Sequence, residues 1–147
     1  MKVAIIEEDS SYIERLRKAA EPYSWDIEFF NSSSDFGKAK LDQFDVIISD
    51  FNLSFINGRN LIKSISYKTS AQIFLMSGKN DSFAEEDIQN ERIKGLIDKS
   101  NTENVIDHIK YADTKIRIKK LIEKEQNKLD DMMKSTNGYI LEKRKVF

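Results

Sequence analysis

The sequence has 147 residues, of which 39% are hydrophobic and 33% are charged, and its net charge is −1. This composition is typical of one globular domain and excludes collagen-like, low-complexity and wholly disordered chains. With no cysteine and a single histidine, the sequence also excludes disulfides, thiolate metal sites and cysteine nucleophiles. No apolar run approaches the ~20 residues of a membrane span, and the first residues turn acidic too early for a signal peptide. We therefore expect a soluble, cytoplasmic protein.

Five short apolar runs recur along the chain, at residues 3–6, 27–30, 46–48, 73–76 and 96–97. Most are nearly continuous and rich in β-branched or aromatic residues, as expected for strands of a parallel sheet that is covered on both faces. Segments with helical periodicity lie between them. This alternation predicts an α/β fold of parallel βα units wound right-handedly, with helices on both faces of the sheet.

The predicted helices have recognisable starts and apolar faces. A capping box at residues 11–14 opens the first helix and Pro22 ends it, while residues 33–35 open the second. The apolar positions are Ile13, Leu16 and Ala20 in the first helix, Phe36 and Ala39 in the second, Leu61, Ile62 and Ile65 in the third, and Phe83 and Ile88 in a very polar fourth.

Polar side chains follow four of the predicted strands at the points where these strands end. They are Glu7, Glu8 and Asp9 after the first strand, Asp50 after the third, Ser77 after the fourth and Lys99 near the end of the fifth. Because functional groups gather at the carboxyl ends of parallel strands, we expect these side chains to converge at one edge of the sheet. Taken singly, Asp9 is better explained as a helix cap, Asp50 as a turn former and Lys99 as a surface lysine. Their joint arrangement favours a functional site.

The residue types at this edge suit one kind of chemistry. Clustered carboxylates repel one another, and a hard cation such as Mg²⁺ removes that cost through oxygen ligation. A carboxylate beside Mg²⁺ can act as a nucleophile toward phosphorus and form an aspartyl phosphate. A hydroxyl and an ammonium would then bind the phosphoryl oxygens and stabilise their charge. The pattern therefore predicts phosphoryl transfer to a carboxylate.

Four segments carry a specific pattern: VAIIEEDS at residues 3–10, VIISD at 46–50, FLMSG at 74–78 and GLIDK at 95–99. Together with Gly58, eight residues after Asp50, they resemble the receiver domain of two-component response regulators. The resemblance covers residues 1 to about 118. It implies a flavodoxin-like (βα)5 doubly wound sheet with strand order 2-1-3-4-5.

The resemblance also implies a role for each residue at the strand ends. Asp50 would be the phosphoacceptor, and Ser77 and Lys99 would contact the phosphoryl group. The ligands of Mg²⁺ would be Glu7, Glu8, Asp50 and the backbone carbonyl of Asn52. The donor would be a phosphohistidine on a sensor histidine kinase or a phosphotransfer protein. We expect a phosphoprotein that relays a signal by conformational or oligomeric change, and no enzymatic activity beyond its own phosphorylation and dephosphorylation.

Four positions differ from the residues usual in this family. Glu8 stands where an aspartate is usual, Leu96 where a tyrosine or phenylalanine is usual, and Ser54 and Ser100 where prolines are common. Because glutamate places its carboxylate differently and Mg²⁺ demands near-ideal octahedral geometry, we expect Mg²⁺ to bind weakly. One alternative is a phosphorylation-deficient receiver-like domain that acts as a constitutive protein-interaction module. A second, an aspartate-based phosphohydrolase, would need a second acid where Asn52 stands.

The end of the chain exceeds the length of a receiver domain, so we expect a receiver domain at residues 1–118 and a helical extension and tail at residues 119–147. Residues 102–135 contain no proline or glycine and are rich in strong helix formers, which predicts one elongated helix. Asn137 and Gly138 form a plausible helix stop.

Apolar residues continue along this helix beyond the part that the sheet could cover. They are Ile118, Ile122, Leu129 and Met132, with Glu125 interrupting the stripe. Their spacing suits a short parallel or antiparallel coiled coil, so we expect a homodimer, or pairing with a partner helix, through residues 116–135. No helix-turn-helix pattern follows the basic run at residues 115–120, and we expect neither direct DNA binding nor membrane association.

Overall fold

The computed structural model describes residues 1–78 and 93–146, with side chains up to residue 137. Five parallel strands form one sheet in the order β2-β1-β3-β4-β5, which confirms the predicted fold class. The strands are β1 (Lys2–Ile6), β2 (Asp26–Phe30), β3 (Val46–Asp50), β4 (Gln72–Ser77) and β5 (Ile93–Asp98). Each predicted apolar run lies within one of these strands.

Four helices accompany the sheet in the described residues: α1 (Ser10–Ala20), α2 (Ser33–Phe36), α3 (Gly58–Ile65) and a long α4 (Thr102–Val146). A single 3-10 turn at Leu41–Gln43 precedes β3. The predicted polar helix that carries Phe83 and Ile88 lies outside the described residues.

The start of α1 differs from the prediction. Asp9 caps this helix, because its Oδ1 accepts hydrogen bonds from the backbone N–H groups of Ser11, at 3.0 Å, and Tyr12, at 3.3 Å. The capping box predicted at residues 11–14 is therefore wrong. The alternative interpretation of Asp9 as a helix cap is confirmed.

Helix α2 is shorter than its sequence pattern suggested. It ends at Phe36, and Ala39 lies outside it. The serines and the aspartate of this segment favour caps and turns over helix interiors, and Gly37 follows them directly. These residues therefore form little more than one turn of helix.

The predicted stop of the long helix is wrong, because α4 continues through Asn137 and Gly138 to Val146. A glycine inside a helix costs only ~1 kcal/mol relative to alanine. Residues 141–145 are leucine, glutamate, lysine and arginine, and these strong helix formers favour continuation on the far side of Gly138.

The chain divides into two compact units, Met1–Ala112 and Asp113–Phe147. The first unit has an apolar core in which Leu16 of α1, Ile48 of β3, Ile62 of α3 and Ile109 of α4 are almost completely buried. In the second unit, the described side chains of α4 are mostly exposed. No helix in the described part of the chain combines the length and apolar character needed to cross a bilayer.

The register of the strands brings their carboxyl ends to one edge of the sheet. Asp50, the last residue of β3, pairs with Met76 of β4, and Ser77, the last residue of β4, pairs with Asp98 of β5. The backbone positions of the residues predicted to form a site are therefore neighbours at this edge.

Candidate functional site

Three charged side chains meet at the carboxyl edge of the sheet. Lys99 follows β5, and its Nζ lies 2.6 Å from Oε2 of Glu7 and 3.2 Å from Oδ2 of Asp50. Glu7 follows β1 and Asp50 ends β3, and both residues are buried. The sheet thus brings together an ammonium and two carboxylates that are distant in the sequence, as the strand-end pattern predicted.

Burial and charge shift the proton affinities of this cluster. Burial, and then the charge of Glu7, raise the pKa of Asp50 to about 6, although Lys99 acts in the opposite direction. Burial lowers the pKa of Lys99, but the hydrogen bond and the charge of Glu7, together with Asp50, outweigh it and raise that pKa above its ordinary value. Lys99 is therefore cationic at neutral pH. Asp50 is also ionised there, but burial and the charge of Glu7 make its ionised form less favourable than it would be in water.

The loop after β3 folds closely over the end of that strand. The backbone N–H of Gly58 donates to the carbonyl of Phe51 at 2.8 Å. A Cβ atom at Gly58 would lie 2.1 Å from the backbone oxygen of Asp50. Only glycine allows this approach without a shift of the backbone, which explains the need for Gly58 eight residues after Asp50.

The remaining predicted residues also lie at this edge. The backbone N–H of Lys99 donates to the carbonyl of Ser77 at 2.9 Å, so the fourth and fifth strands end side by side. Ser77 is half-buried, and Asn52 is exposed in the loop that follows Asp50. Leu96 of β5 is half-buried and packs against the apolar core.

Glu8 is directed to a different partner. Its Oε1 accepts the backbone N–H of Ser54 at 2.8 Å, and its Oε2 accepts the Ser54 hydroxyl at 2.7 Å. These two hydrogen bonds, the hydroxyl first, hold the pKa of Glu8 below its ordinary value. Both oxygens of the second acid are thus occupied by the loop after β3.

Tyr12 belongs to the same cluster, and the sequence analysis missed it. The Nζ of Lys99 lies 4.7 Å from the centroid of the Tyr12 ring. The phenol is buried, and its hydroxyl has no hydrogen-bond partner among the described residues. Burial, and then the charge of Glu7, raise the pKa of Tyr12 to about 12. The helical spacing of Tyr12 and Leu16 on α1 could have indicated an inward-facing ring.

The cluster fits a divalent cation in part. Oδ1 of Asp50 is buried without a hydrogen-bond partner in the part of the chain that the structure describes, and the charge of Glu7 beside it favours a cation. Glu8, however, is held by Ser54. Within residues 1–78 and 93–137, no three His, Cys, Asp or Glu side chains are arranged so as to hold a metal ion. Asp50 and Glu7 therefore suit Mg²⁺, and Glu8 would have to move.

Comparison with known proteins supports the resemblance found in the sequence. The family model of the response regulator receiver domain matches residues 3–110. No curated protein sequence matches the chain.

Several solved structures have a similar fold. The chemotaxis response regulator CheY4 of Vibrio cholerae is 19% identical with a TM-score of 0.61, and the match covers 76% of this chain and 97% of that one. The receiver domain of a putative Luxo repressor protein from Vibrio parahaemolyticus is 16% identical with a TM-score of 0.68, covering 83% and 96% of the two chains. A receiver domain protein from Clostridium thermocellum is 15% identical with a TM-score of 0.66, covering 80% and 97%.

Proposed function

Because this chain belongs to the response regulator receiver domain family, we propose that it accepts a phosphoryl group on Asp50 from a phosphohistidine of a sensor kinase or a phosphotransfer protein. One observation carries the proposal: the carboxylate at the end of β3 has one oxygen, Oδ2, on Lys99 and a second, the buried Oδ1, without a hydrogen-bond partner among the described residues. A carboxylate placed in this way is oriented by one oxygen, while the other is not engaged by a protein donor and keeps its lone pairs for a bond to phosphorus.

The reaction forms a bond between an oxygen of Asp50 and phosphorus while the bond from phosphorus to the donor's imidazole nitrogen breaks. The imidazole leaves with the electron pair and takes up a proton, and Asp50 becomes an acyl phosphate. With a pKa of about 6, Asp50 is mostly ionised at neutral pH and needs no separate base. Lys99 then holds a phosphoryl oxygen, with Ser77 at the end of the neighbouring strand as the second donor.

Mg²⁺ would be held by Asp50, the backbone carbonyl of Asn52 and the acids that follow β1. When bound, Mg²⁺ neutralises charge on the transferring phosphoryl group. The protein's own contribution is to hold Asp50 and Lys99 in place before the donor arrives, so that little reorganisation is needed during transfer. We expect no turnover of a separate substrate, only phosphorylation of Asp50 and its later hydrolysis.

Incubation with acetyl phosphate and Mg²⁺, followed by intact mass measurement, tests the proposal. We expect a gain of about 80 Da, the mass of one phosphoryl group. Asp50→Asn should abolish the gain, whereas Asp42→Asn, an exposed aspartate outside the site, should leave it unchanged. Labelling of the Asp50→Asn protein would overturn the assignment of Asp50.

A second candidate is a receiver-like domain that binds partners without being phosphorylated. The engagement of both Glu8 oxygens by Ser54 favours it, because this leaves the second acid unavailable to a cation. The same mass measurement separates the two candidates. No gain of mass in the wild-type protein at high Mg²⁺ and acetyl phosphate would support the binding module.

We also propose that the second unit of the chain pairs with a second copy of itself. Ile122 and Leu129 of α4 are 63% and 51% exposed, and other apolar side chains extend the same region. These are Ile118, Leu121, Met132 and Met133. Full burial of one such side chain contributes ~1.5–3 kcal/mol. A second helix packed against α4 would bury the part that is still exposed.

The charges along α4 favour an antiparallel pair. Residues 113–120 carry four basic side chains and one acidic side chain, whereas residues 121–131 carry four acidic and two basic. In an antiparallel pair centred near Glu125, Lys119 and Lys120 of one copy lie opposite Asp131 and Asp130 of the other, while a parallel pair aligns like charges. The charge pattern of α4 therefore favours pairing with a second copy of the same helix.

Light scattering tests this part of the proposal. The wild-type chain should have the mass of a dimer at high concentration. A variant with Ile122→Asn and Leu129→Asn, which removes apolar area without changing charge, should be monomeric. Tyr67→Asn, at an exposed position outside α4, should remain dimeric. A monomeric wild-type chain would overturn self-association.

A further inference from the structure

Two residues that differ from the family's usual pattern are bonded to each other. Ser54 donates its backbone N–H to Oε1 of Glu8 and its hydroxyl to Oε2, at 2.8 and 2.7 Å. The pair joins the loop after β1 to the loop after β3, across 46 positions of sequence. We call this pair the Glu8–Ser54 clamp.

The clamp depends on both departures from the family pattern. A proline at position 54 would have neither a backbone N–H nor a hydroxyl to donate. An aspartate at position 8 would have a side chain one methylene shorter, and its carboxylate would fall short of both donors. The unusual glutamate and the unusual serine therefore complement each other.

The clamp also has a consequence for the acids at the sheet edge. While both its oxygens accept hydrogen bonds from Ser54, Glu8 does not form, with Glu7 and Asp50, a group able to hold a metal. Glu7 and Asp50 are buried and contact the ammonium of Lys99, so a change of partner at either would leave a buried charge unpaired. Of the three acids, Glu8 therefore needs the least free energy to exchange its partner.

We infer that Ser54 competes with a divalent cation for Glu8, so that Mg²⁺ binding must break the Glu8–Ser54 clamp and release the loop after β3. This inference rests on the proposed Mg²⁺ site. Ser54 is thus a positioning residue that sets the affinity of the site without being one of its ligands. Phe55, the next residue along the loop, is 92% exposed, so release changes a surface that a partner can reach.

Calorimetric titration of the full chain with Mg²⁺ tests the competition. Ser54→Ala removes the hydroxyl bond and should tighten Mg²⁺ binding by about threefold, and Ser54→Pro removes both bonds and should tighten it by roughly tenfold. In a Glu8→Gln background, neither substitution should change the affinity. Ser70→Ala, at an exposed serine outside the site, serves as the matched control.

A second measurement follows the clamp directly. The amide resonance of Ser54, shifted downfield by its bond to the carboxylate, should move upfield as Mg²⁺ is added and should not move in Glu8→Gln. This measurement uses the wild-type fold, so it stands even where Ser54→Pro is poorly folded.

Three outcomes would overturn the inference. Weaker Mg²⁺ binding in the Ser54 variants would mean that Ser54 orients Glu8 for the metal, and unchanged binding would mean that the clamp does not compete. Absence of Mg²⁺ binding in every variant would mean that release of Glu8 creates no site. Phosphorylation of Asp50, measured separately by mass, decides the proposed function independently of these results.

Discussion

The ammonium of Lys99 lies over the face of the Tyr12 ring, with its Nζ 4.7 Å from the ring centroid. The carboxylates of Glu7 and Asp50 contact the same nitrogen. The ammonium of Lys99 therefore has three neighbours, two carboxylates and the Tyr12 ring. A cation held over an aromatic face is attracted by the ring quadrupole, more strongly where water is excluded. Tyr12 therefore helps to fix the group that we expect to bind the phosphoryl oxygen.

Replacement of the ring should slow phosphorylation, while loss of the hydroxyl alone should not. We expect Tyr12→Leu to lower the rate constant for labelling by acetyl phosphate by about threefold to tenfold, because an aliphatic side chain does not attract the ammonium. Tyr12→Phe keeps the ring and should stay within about twofold of wild type. Tyr67→Leu, at an exposed tyrosine, is the control. Equal loss in the leucine and phenylalanine variants would instead assign the effect to the hydroxyl.

The raised pKa of Asp50 predicts how stability depends on pH. Its pKa is about 6 in the folded protein and ~3.9 in an unfolded chain, so between these values the folded state binds more protons. Asp50 therefore contributes stability that is fully present below about pH 4 and is lost as the pH rises to about 6. Above pH 6, the ionised carboxylate destabilises the fold.

Asp50→Asn removes this penalty. The variant should gain stability relative to wild type by about 1–3 kcal/mol more at pH 7.5 than at pH 4.5, measured by urea unfolding with EDTA present. The exposed control Asp42→Asn should differ from wild type by the same amount at both pH values. A constant difference between Asp50→Asn and wild type would show that burial does not disfavour the ionised carboxylate.

Glu8→Asp should tighten Mg²⁺ binding by roughly tenfold in calorimetric titrations. The shorter side chain loses the donors of Ser54 and places its carboxylate as the family's usual aspartate does. Glu14→Asp, at an exposed position on α1, should leave the affinity unchanged. An unchanged or weaker affinity in Glu8→Asp would show that the loop is adapted to glutamate.

The local sequence pattern was enough to predict the strands and the edge of the sheet at which the site residues lie. Asp50 and Lys99 could be placed at one edge because continuous apolar runs indicate parallel strands, and parallel strands end together. The partners of Glu8 and Lys99 could not be predicted in the same way. Ser54 donates to Glu8 across two loops, and the ring of Tyr12 meets Lys99 only after α1 packs on the sheet.

Two of the wrong helix boundaries, the start of α1 and the stop of α4, have a similar origin. Ser11 has the right residue type for a cap, but Asp9 lies where the backbone is still extended and therefore caps α1. Gly138 has the right type for a helix stop, yet strong helix formers follow it at residues 141–145. Residue type alone does not decide between these alternatives, because caps and stops depend on backbone conformation.

The antiparallel pairing of α4 predicts a specific pattern of disulfide cross-links. The chain has no cysteine, so single substitutions give unambiguous bonds. In an antiparallel pair centred near Glu125, Glu125→Cys should cross-link with itself on mild oxidation. Ile118→Cys should not, because its two copies would lie ~20 Å apart along the axis, whereas a disulfide needs Cα atoms within ~7 Å.

A mixture of Ile118→Cys and Met132→Cys proteins separates the two orientations. Antiparallel helices bring position 118 of one copy near position 132 of the other, so mixed dimers should form faster than either like pair. A parallel pair would join position 118 to itself and position 132 to itself, and would contradict the charge argument. Cysteine in place of Tyr67, exposed but outside α4, sets the rate of random collision. Cross-linking of all α4 variants at that rate would mean that the second unit does not pair.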